Sequence, residues 1–439
     1  MLKRKFYNTL LSWKNSKKNE CLLIKGARQV GKTYLVRELG KNEYESFIEI
    51  NFYANPELKV IFEGGLSAEE ILKRISANIP NIKIIPNKTL LFLDEIQRCS
   101  RARTALKFLA EDKNIDVIAS GSLLGLSYGQ DSDKAVEQID SVPVGYERQV
   151  VMYSLDFEEF LWANGYGEDA ISYLKEFYLK REKVPNEIND KYESLLREYL
   201  VVGGMPEVVA DFVENKNFDN VQQLQEKIIH SYEDDILNHA NTVEKVKVRK
   251  CFDSIPKQLA RENKKFKFGE VEKGSSARKY MDSIEWLHNA NLAYICCNLY
   301  EPVLPLKFND KENEFKVYMH DTGLLLAMYG FATKKALLNN TLIGNAKGGI
   351  YENFVAGALI KNGYNLHYYK PDDSSELEFI IEFEDGVAPI EVKAGNTASK
   401  SLNNFISKFN PNIAFKFISG NVGFVDKKLS LPHYMLMFI

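Results

Sequence analysis

The sequence predicts an α/β chain with two sheets. A parallel sheet with crossover helices is expected at the amino end, and a smaller α/β unit at the carboxyl end. Three observations carry that expectation. A glycine-rich loop joins an apolar run, Leu22 to Ile24, to a helix-forming stretch that begins at Tyr34. A second apolar run, Leu90 to Leu93, stops at the acidic pair Asp94-Glu95. Near the carboxyl end, ELEFIIEF and PIEVKAG alternate apolar and charged residues as paired strands do.

The chain has 439 residues, which implies two to four domains of roughly 100–200 residues each. Hydrophobic residues make up 45% and charged residues 27%, an ordinary soluble composition. The net charge of −3 makes any nucleic-acid surface a local feature. Five cysteines without a C-x-x-C pair argue against a disulfide framework and a zinc finger, and six histidines without H-E-x-x-H argue against a zinc protease. The first twenty residues lack an apolar signal core, and no apolar run approaches the ~20 residues that span a bilayer. The expected setting is cytoplasmic, without a membrane role.

The loop Gly26-Ala27-Arg28-Gln29-Val30-Gly31-Lys32-Thr33 fits G-x-x-x-x-G-K-S/T in full. Gly26 and Gly31 let the backbone curl so that its N–H groups face phosphates, and the following helix adds its positive end. Lys32 is expected on the β- and γ-phosphates of ATP, and the Thr33 hydroxyl on Mg²⁺. Gly40 is placed to end the helix. Asp94 suits the magnesium partner of Thr33, and Glu95 the base that orients an attacking water. A third strand, DVIASGSLLG, brings Ser120 to a strand end, either as a sensor of the γ-phosphate or as a turn serine.

These segments, with VPVGYERQVVMYSLDFEEFLWA, YLVVGGMPEVV, SIPKQLARENKKF, HDTGLLLAMYG, GGIYENFVAGAL, ELEFII and PIEVKAG, resemble a large prokaryotic family of AAA-type ATP-binding proteins with a carboxyl-terminal domain of unknown function. The resemblance runs nearly end to end. It implies ATP binding, a winged-helix segment and a restriction-endonuclease-like fold at the carboxyl end. It also implies that Arg148 is an arginine finger or sensor, against the plain reading of a surface arginine at a strand start.

From Asp156 to about Lys227 the pattern turns helical, with Leu155, Phe157, Phe160 and Leu161 at helical spacing and Asp156 as cap. Gly203-Gly204 breaks a second helical stretch before Pro206. Between Glu244 and Met281 there are twelve Lys or Arg against five Asp or Glu. Helices followed by the strand-like AYICCNLY and FKVYMHD suit a winged helix. Lys264, Lys265, Lys267, Arg278 and Lys279 are then candidate DNA-phosphate contacts, or simply a solvated helical face.

In the carboxyl-terminal part, GGIYENFVAGALIKNG reads as a helix with one apolar stripe, Glu352 at its border and Gly363 at its end. Glu376 and Glu378 fall on one face of the next strand, and Glu391 and Lys393 share a face of PIEVKAG beyond a Glu384-Asp385-Gly386 turn. A hairpin is expected to bring Glu378 beside Glu391 and Lys393. Two carboxylates then hold Mg²⁺ or Mn²⁺ and the lysine acts in catalysis, with Glu352 as a further acidic contact. The resembled family usually has aspartate where this chain has Glu378. The bland alternative is a solvated strand bearing a salt bridge.

The resulting domain expectation is an AAA-type P-loop NTPase over residues 1–154 and a helical lid or connector over 155–229. A winged helix follows over 230–335, and a restriction-endonuclease-like domain over 336–439. The expected function is ATP binding and hydrolysis with DNA binding and metal-dependent cleavage. The competing function is an ATP-driven switch that contacts a protein partner or another copy of itself through an idle nuclease-like fold.

Overall fold

A computed structural model describes residues 2–16, 19–121, 145–239, 242–395 and 399–439. Ser122 of the third-strand segment and Val144 of the arginine segment lie outside the described residues. The chain forms two compact units, Arg4–Tyr153 and Ser154–Ile439, the latter together with Met1–Lys3.

The first unit is a parallel sheet of β1 (Cys21–Lys25), β2 (Ser46–Asn51), β3 (Thr89–Asp94), β4 (Asp116–Ser120) and β5 (Glu147–Val151), in the order β2-β3-β4-β1-β5. Helices α1 (Phe6–Asn15), α2 (Lys32–Glu43), α3 (Ala68–Asn78) and α4 (Ser100–Asp112) accompany it. The central strands are continuous apolar runs because helices cover both faces of such a sheet. Leu23, Ile50, Leu91 and Leu93 pack in one buried cluster with Ala105, Leu106 and Leu109 of α4. Asn51 pairs with Asp94, and Ile24 with Ser120, so several strand ends meet along one carboxyl edge. Gly40 does not end α2, contrary to expectation. The helix runs on to Glu43, and a Cβ at Gly40 would lie 2.3 Å from the Phe47 ring, so this glycine makes room for a neighbour.

The second unit opens with helices α5 (Phe157–Ala163), α6 (Glu168–Lys180), α7 (Asn186–Val202), α8 (Pro206–Asn215) and α9 (Phe218–His239). Asp156 caps α5 as expected, in a reciprocal box with Glu159. α10 (Thr242–Leu259), α11 (Ala277–Asn289), α12 (Thr322–Tyr329) and α13 (Phe331–Leu338) follow, with β6 (Ala293–Leu299) and β7 (Asp310–Met319) among them. Then come α14 (Asn345–Lys361), β8 (His367–Asp372), β9 (Ser375–Phe383), β10 (Gly386–Lys393), α15 (Lys400–Phe409), β11 (Ala414–Ile418), β12 (Gly423–Val425) and β13 (Lys428–Pro432). The eight strands make one mixed sheet in the order β12-β13-β11-β10-β9-β8-β6-β7.

That order changes two expectations. The ribbon β6–β7 does not stand apart as the wing of a separate module. Cys297 pairs in parallel with His367, so the boundary drawn at 335/336 cuts through one hydrogen-bonded sheet. An unpaired strand edge exposes backbone polar groups, and β8 supplies the partner that β6 needs. α14 also lacks a single apolar stripe: its middle, Gly349 to Gly357, is buried all round, Glu352 included. The hairpin turn is as read, with Phe383 pairing with Gly386, and Gly363 follows α14 at φ +89°. No helix among the described residues is long and apolar enough to cross a membrane.

The Gly203-Gly204 break has a steric cause. A Cβ on Gly204 would lie 2.0 Å from the Leu155 carbonyl oxygen, where the two backbones are joined by a 2.7 Å Leu155 N–H to Gly204 O bond. Gly204 N–H also donates to the Asp321 carboxylate at 2.8 Å. Gly204→Ala is therefore expected to lower unfolding free energy by about 2–3 kcal/mol. A urea midpoint equal to that of the unmodified protein refutes this.

Candidate functional site

The glycine-rich loop lies between β1 and α2. Gly26 has φ +149°, and a Cβ there would meet the Met152 carbonyl oxygen at 2.3 Å; Gly31 has φ +96°. Both glycines are thus demanded by backbone shape. Ala27 and Val30 are buried, Arg28 is half-buried and Gln29 is exposed at φ +64°. Lys32 is buried, and its Nζ donates to the carbonyls of Gly26 (3.0 Å) and Ala27 (2.8 Å). Burial pushes its pKa down to about 8, with Glu95 and Asp94 pulling the other way.

Asp94 is the centre of the site. It is 3% exposed, and burial raises its carboxyl pKa against the pull of Ser120 and Thr33. Oδ2 accepts from Thr33 Oγ1 at 2.9 Å and Asn51 Nδ2 at 3.0 Å. Oδ1 accepts from Ser120 Oγ and from the Glu95 N–H. Glu95 stands at φ +54°, turned out of the strand, and its carboxylate accepts from Gln97 Nε2 at 2.5 Å. Ser120 therefore holds Asp94, and that contact is neither of the two roles read from the sequence. Asn51 was missed altogether. Its only signal is its place at the end of the strand FIEIN, level with Asp94.

Arg148 lies elsewhere. It pairs with Leu22 at the beginning of β1, whereas the loop follows Lys25, level with Val151. The register thus sets it back from the edge that carries Thr33 and Asp94.

In the carboxyl-terminal sheet the expected cluster does gather. Lys393 Nζ lies 3.0 Å from Glu378 and 3.6 Å from Glu391, and the Val392 N–H donates to Glu378 at 3.1 Å. Its surroundings differ from the expectation. β10 is a central strand, so the face with Glu391 is buried rather than solvated; Glu391 is 1% exposed. Glu352 pairs with Lys264 (2.9 Å) and Lys316 (3.5 Å), while Glu376 pairs with Lys316 (2.5 Å) and Lys370 (3.3 Å). Four carboxylates thus face four lysines, three of which the sequence reading did not bring to this site, Lys264, Lys316 and Lys370. Burial raises the Glu352 carboxyl, but Lys316 and Lys264 outweigh it and hold it below the ordinary value. For Glu378 burial prevails over Lys393 and raises it.

This donor set is a poor fit for a divalent cation. Each of Glu352, Glu376, Glu378 and Glu391 already has an ammonium partner, and no cluster of three metal-ligating His, Cys, Asp or Glu side chains occurs among the described residues. The one spare acceptor is Glu391 Oε2, buried without a hydrogen-bond partner. The longer side chain at Glu378, where aspartate was usual, reaches the Lys393 ammonium instead.

The basic segment is largely committed as well. Lys264 is tied to Glu352, Lys265 to Glu314 (3.0 Å) and Lys279 to Glu272. Of the five candidate phosphate contacts, Lys267, Arg278 and Lys279 are exposed, Lys279 within its pair with Glu272.

Residues 18–161 match the family model of an AAA domain. Residues 193–335 and 347–426 match two domains of unknown function, DUF8612 and DUF4143. No curated protein matches the sequence. Among solved structures, the chain is similar to the Walker-type ATPase PABY2304 of Pyrococcus abyssi at 14% identity and TM-score 0.44, covering 75% of this chain and 96% of that one. It is similar to the signal-transduction ATPase PH0952 of Pyrococcus horikoshii, which has a tetratricopeptide repeat sensor, at 13% identity and TM-score 0.28, covering 82% and 45%. It is also similar to AMPPCP-bound DnaA of Aquifex aeolicus at 14% identity and TM-score 0.28, covering 66% and 89%.

The low Lys32 value has a measurable consequence. Phosphate oxygens brought beside Lys32 would favour its charged form, so above about pH 8 nucleotide binding there would draw a proton onto it. Affinity for Mg-ATP is expected to stay flat below that pH and to fall by up to about tenfold per unit above it. Calorimetry near pH 9 in two buffers of different ionisation enthalpy should register proton uptake. Equal affinity at pH 7 and pH 9, without uptake, refutes the assignment.

Proposed function

We propose that this AAA-type ATP-binding protein, with carboxyl-terminal domains of unknown function, hydrolyses ATP at the Gly26–Thr33 loop. The observation that carries the reading is the 2.9 Å hydrogen bond from Thr33 to Asp94, 61 residues away, at the carboxyl edge of a parallel sheet. These two oxygens are hard donors at the right place for Mg²⁺. Magnesium, when bound, supplies charge neutralisation across the β- and γ-phosphates. Asn51 and Ser120 orient the Asp94 carboxylate. Lys32 exchanges the Gly26 and Ala27 carbonyls for phosphate oxygens. Glu95 orients the attacking water and accepts its proton, and Gln97 holds the Glu95 carboxylate in place.

In this reading the carboxyl-terminal unit is a catalytically idle fold through which the nucleotide state is passed to a protein partner. The balanced Glu–Lys cluster supports that, because carboxylates neutralised by lysines have little remaining call for a cation. A second reading, metal-dependent cleavage of DNA, has one observation in its favour: Glu391 Oε2, buried and unpartnered beside Glu378 and Lys393.

Lys32→Ala is expected to abolish ATP binding, and retained tight binding would sink the assignment. Glu95→Gln should bind ATP normally and hydrolyse it about 10²-fold more slowly. An unchanged turnover removes Glu95 from the mechanism.

Plasmid, linear and single-stranded DNA incubated with Mg²⁺ or Mn²⁺ should show no cleavage that depends on Lys393. Cleavage by the unmodified protein that Lys393→Ala loses would replace the idle-fold reading with the second one.

A further inference from the structure

Arg4 belongs to none of the motifs, and it is nonetheless buried at 8% exposure. Its guanidinium spans two backbone carbonyls. Nη1 donates to the Val30 oxygen at 3.0 Å, and Nη2 to the Tyr153 oxygen at 2.7 Å. Val30 is inside the phosphate loop, immediately before Gly31. Tyr153 follows Met152, whose carbonyl leaves no room for a Cβ on Gly26 and whose N–H donates to the Lys25 carbonyl at 2.8 Å. The loop is thus fastened at its start by Met152 and near its end by Arg4.

The geometry of the peptide unit gives this contact a consequence. In a planar trans peptide the C=O and the following N–H point in opposite directions. Holding the Val30 carbonyl against Arg4 therefore turns the Gly31 N–H away from Arg4. Gly31, at φ +96°, is a residue whose backbone has the freedom to rotate out of that orientation. The same loop holds a competing attraction: Lys32 Nζ already engages the Gly26 and Ala27 carbonyls. Arg4 occupies the third carbonyl from outside, with a fork that a single ammonium does not reproduce.

We propose that Arg4 is a positioning residue for the nucleotide site, fixing the Val30–Gly31 peptide so that the Gly31 N–H is presented to a phosphate of the bound nucleotide. The inference rests on the ATP reading given above. It assigns a role to a side chain outside the loop, and the contact acts on ground-state binding rather than on the chemical step.

The test is Mg-ATP titration of the full chain by calorimetry, with steady-state hydrolysis alongside. Arg4→Ala is expected to raise Kd and KM about tenfold, the loss of a charge-assisted hydrogen bond, with kcat within about twofold. Arg4→Lys should fall between the two, since an ammonium lacks the fork. Addition of about 20 mM guanidinium, far below its denaturing range, should restore part of the Arg4→Ala affinity, and equal sodium chloride should not. A Kd for Arg4→Ala within twofold of the unmodified protein, measured where both are folded, overturns the proposal. So does a kcat that falls while KM stays constant. If Arg4→Ala does not fold, Arg4→Lys decides, and a Kd equal to the unmodified protein's overturns it. Absence of ATP binding by the unmodified protein would instead remove the ATP reading itself, a result distinct from these.

Discussion

The amino-terminal unit depends on one buried carboxylate. Asp94 is removed from water, which is costly for an ion unless hydrogen bonds replace the lost hydration. Four donors do so: Thr33, Asn51, Ser120 and the Glu95 N–H. Each belongs to a different piece of chain. Asn51 ends β2, Ser120 ends β4, Thr33 lies in the first turn of α2, and Glu95 follows β3. They meet because β4 lies between β1 and β3, and because the registers bring these strand ends level. A slip of one residue in any of these strands would turn a donor to the wrong face. The carboxylate therefore reports on the whole parallel sheet, and the sheet in turn fixes where Thr33, Asn51, Ser120 and Asp94 meet.

The carboxyl-terminal unit solves a related problem differently. β9 and β10 are interior strands of an eight-stranded sheet, and both carry charged residues on a covered face. Backbone donors are largely consumed by the strand ladders, so these charges find ammonium groups instead. Lys316, 1% exposed, joins Glu352 on α14 to Glu376 on β9, and Lys393 joins Glu378 to Glu391. Such buried pairs add little net stability, but breaking one partner leaves an uncompensated charge. The cluster thus constrains which helix lies on which strands. It also takes Lys264 out of the basic surface, weakening the reading of that segment as a DNA face.

Much of this was legible locally. The order of strand, glycine loop and helix at Leu22 to Leu39, the acidic strand end at Asp94, the Asp156 cap and the hairpin turn at Glu384 are all features a short window contains. The gathering of Glu378, Glu391 and Lys393 was legible too, since a hairpin of known turn leaves few registers. Asn51, Arg4, Lys316 and Lys370 were not. Asn51, Arg4 and Lys316 act on residues far along the chain, and Lys370 meets Glu376 only through the pairing of β8 with β9. Gly40 illustrates the same limit: it matched a helix stop, and the Phe47 ring decided otherwise.

The sequence by itself determined the glycine-rich loop, the Thr33 and Asp94 side chains that meet beside it, and the AAA-type class of the amino-terminal domain. These follow from steric and chemical demands on a few adjacent residues, glycine where φ is positive and hard oxygen donors at strand ends. Only the tertiary structure decided that β6 and β7 complete the carboxyl-terminal sheet, and that Glu391 is covered. It also decided that the acidic cluster is matched by lysines. Those outcomes depend on which strand lies beside which. Strand neighbours are chosen by long-range pairing and burial, and the period-two pattern of a single strand is the same whether its polar face meets water or a buried ammonium.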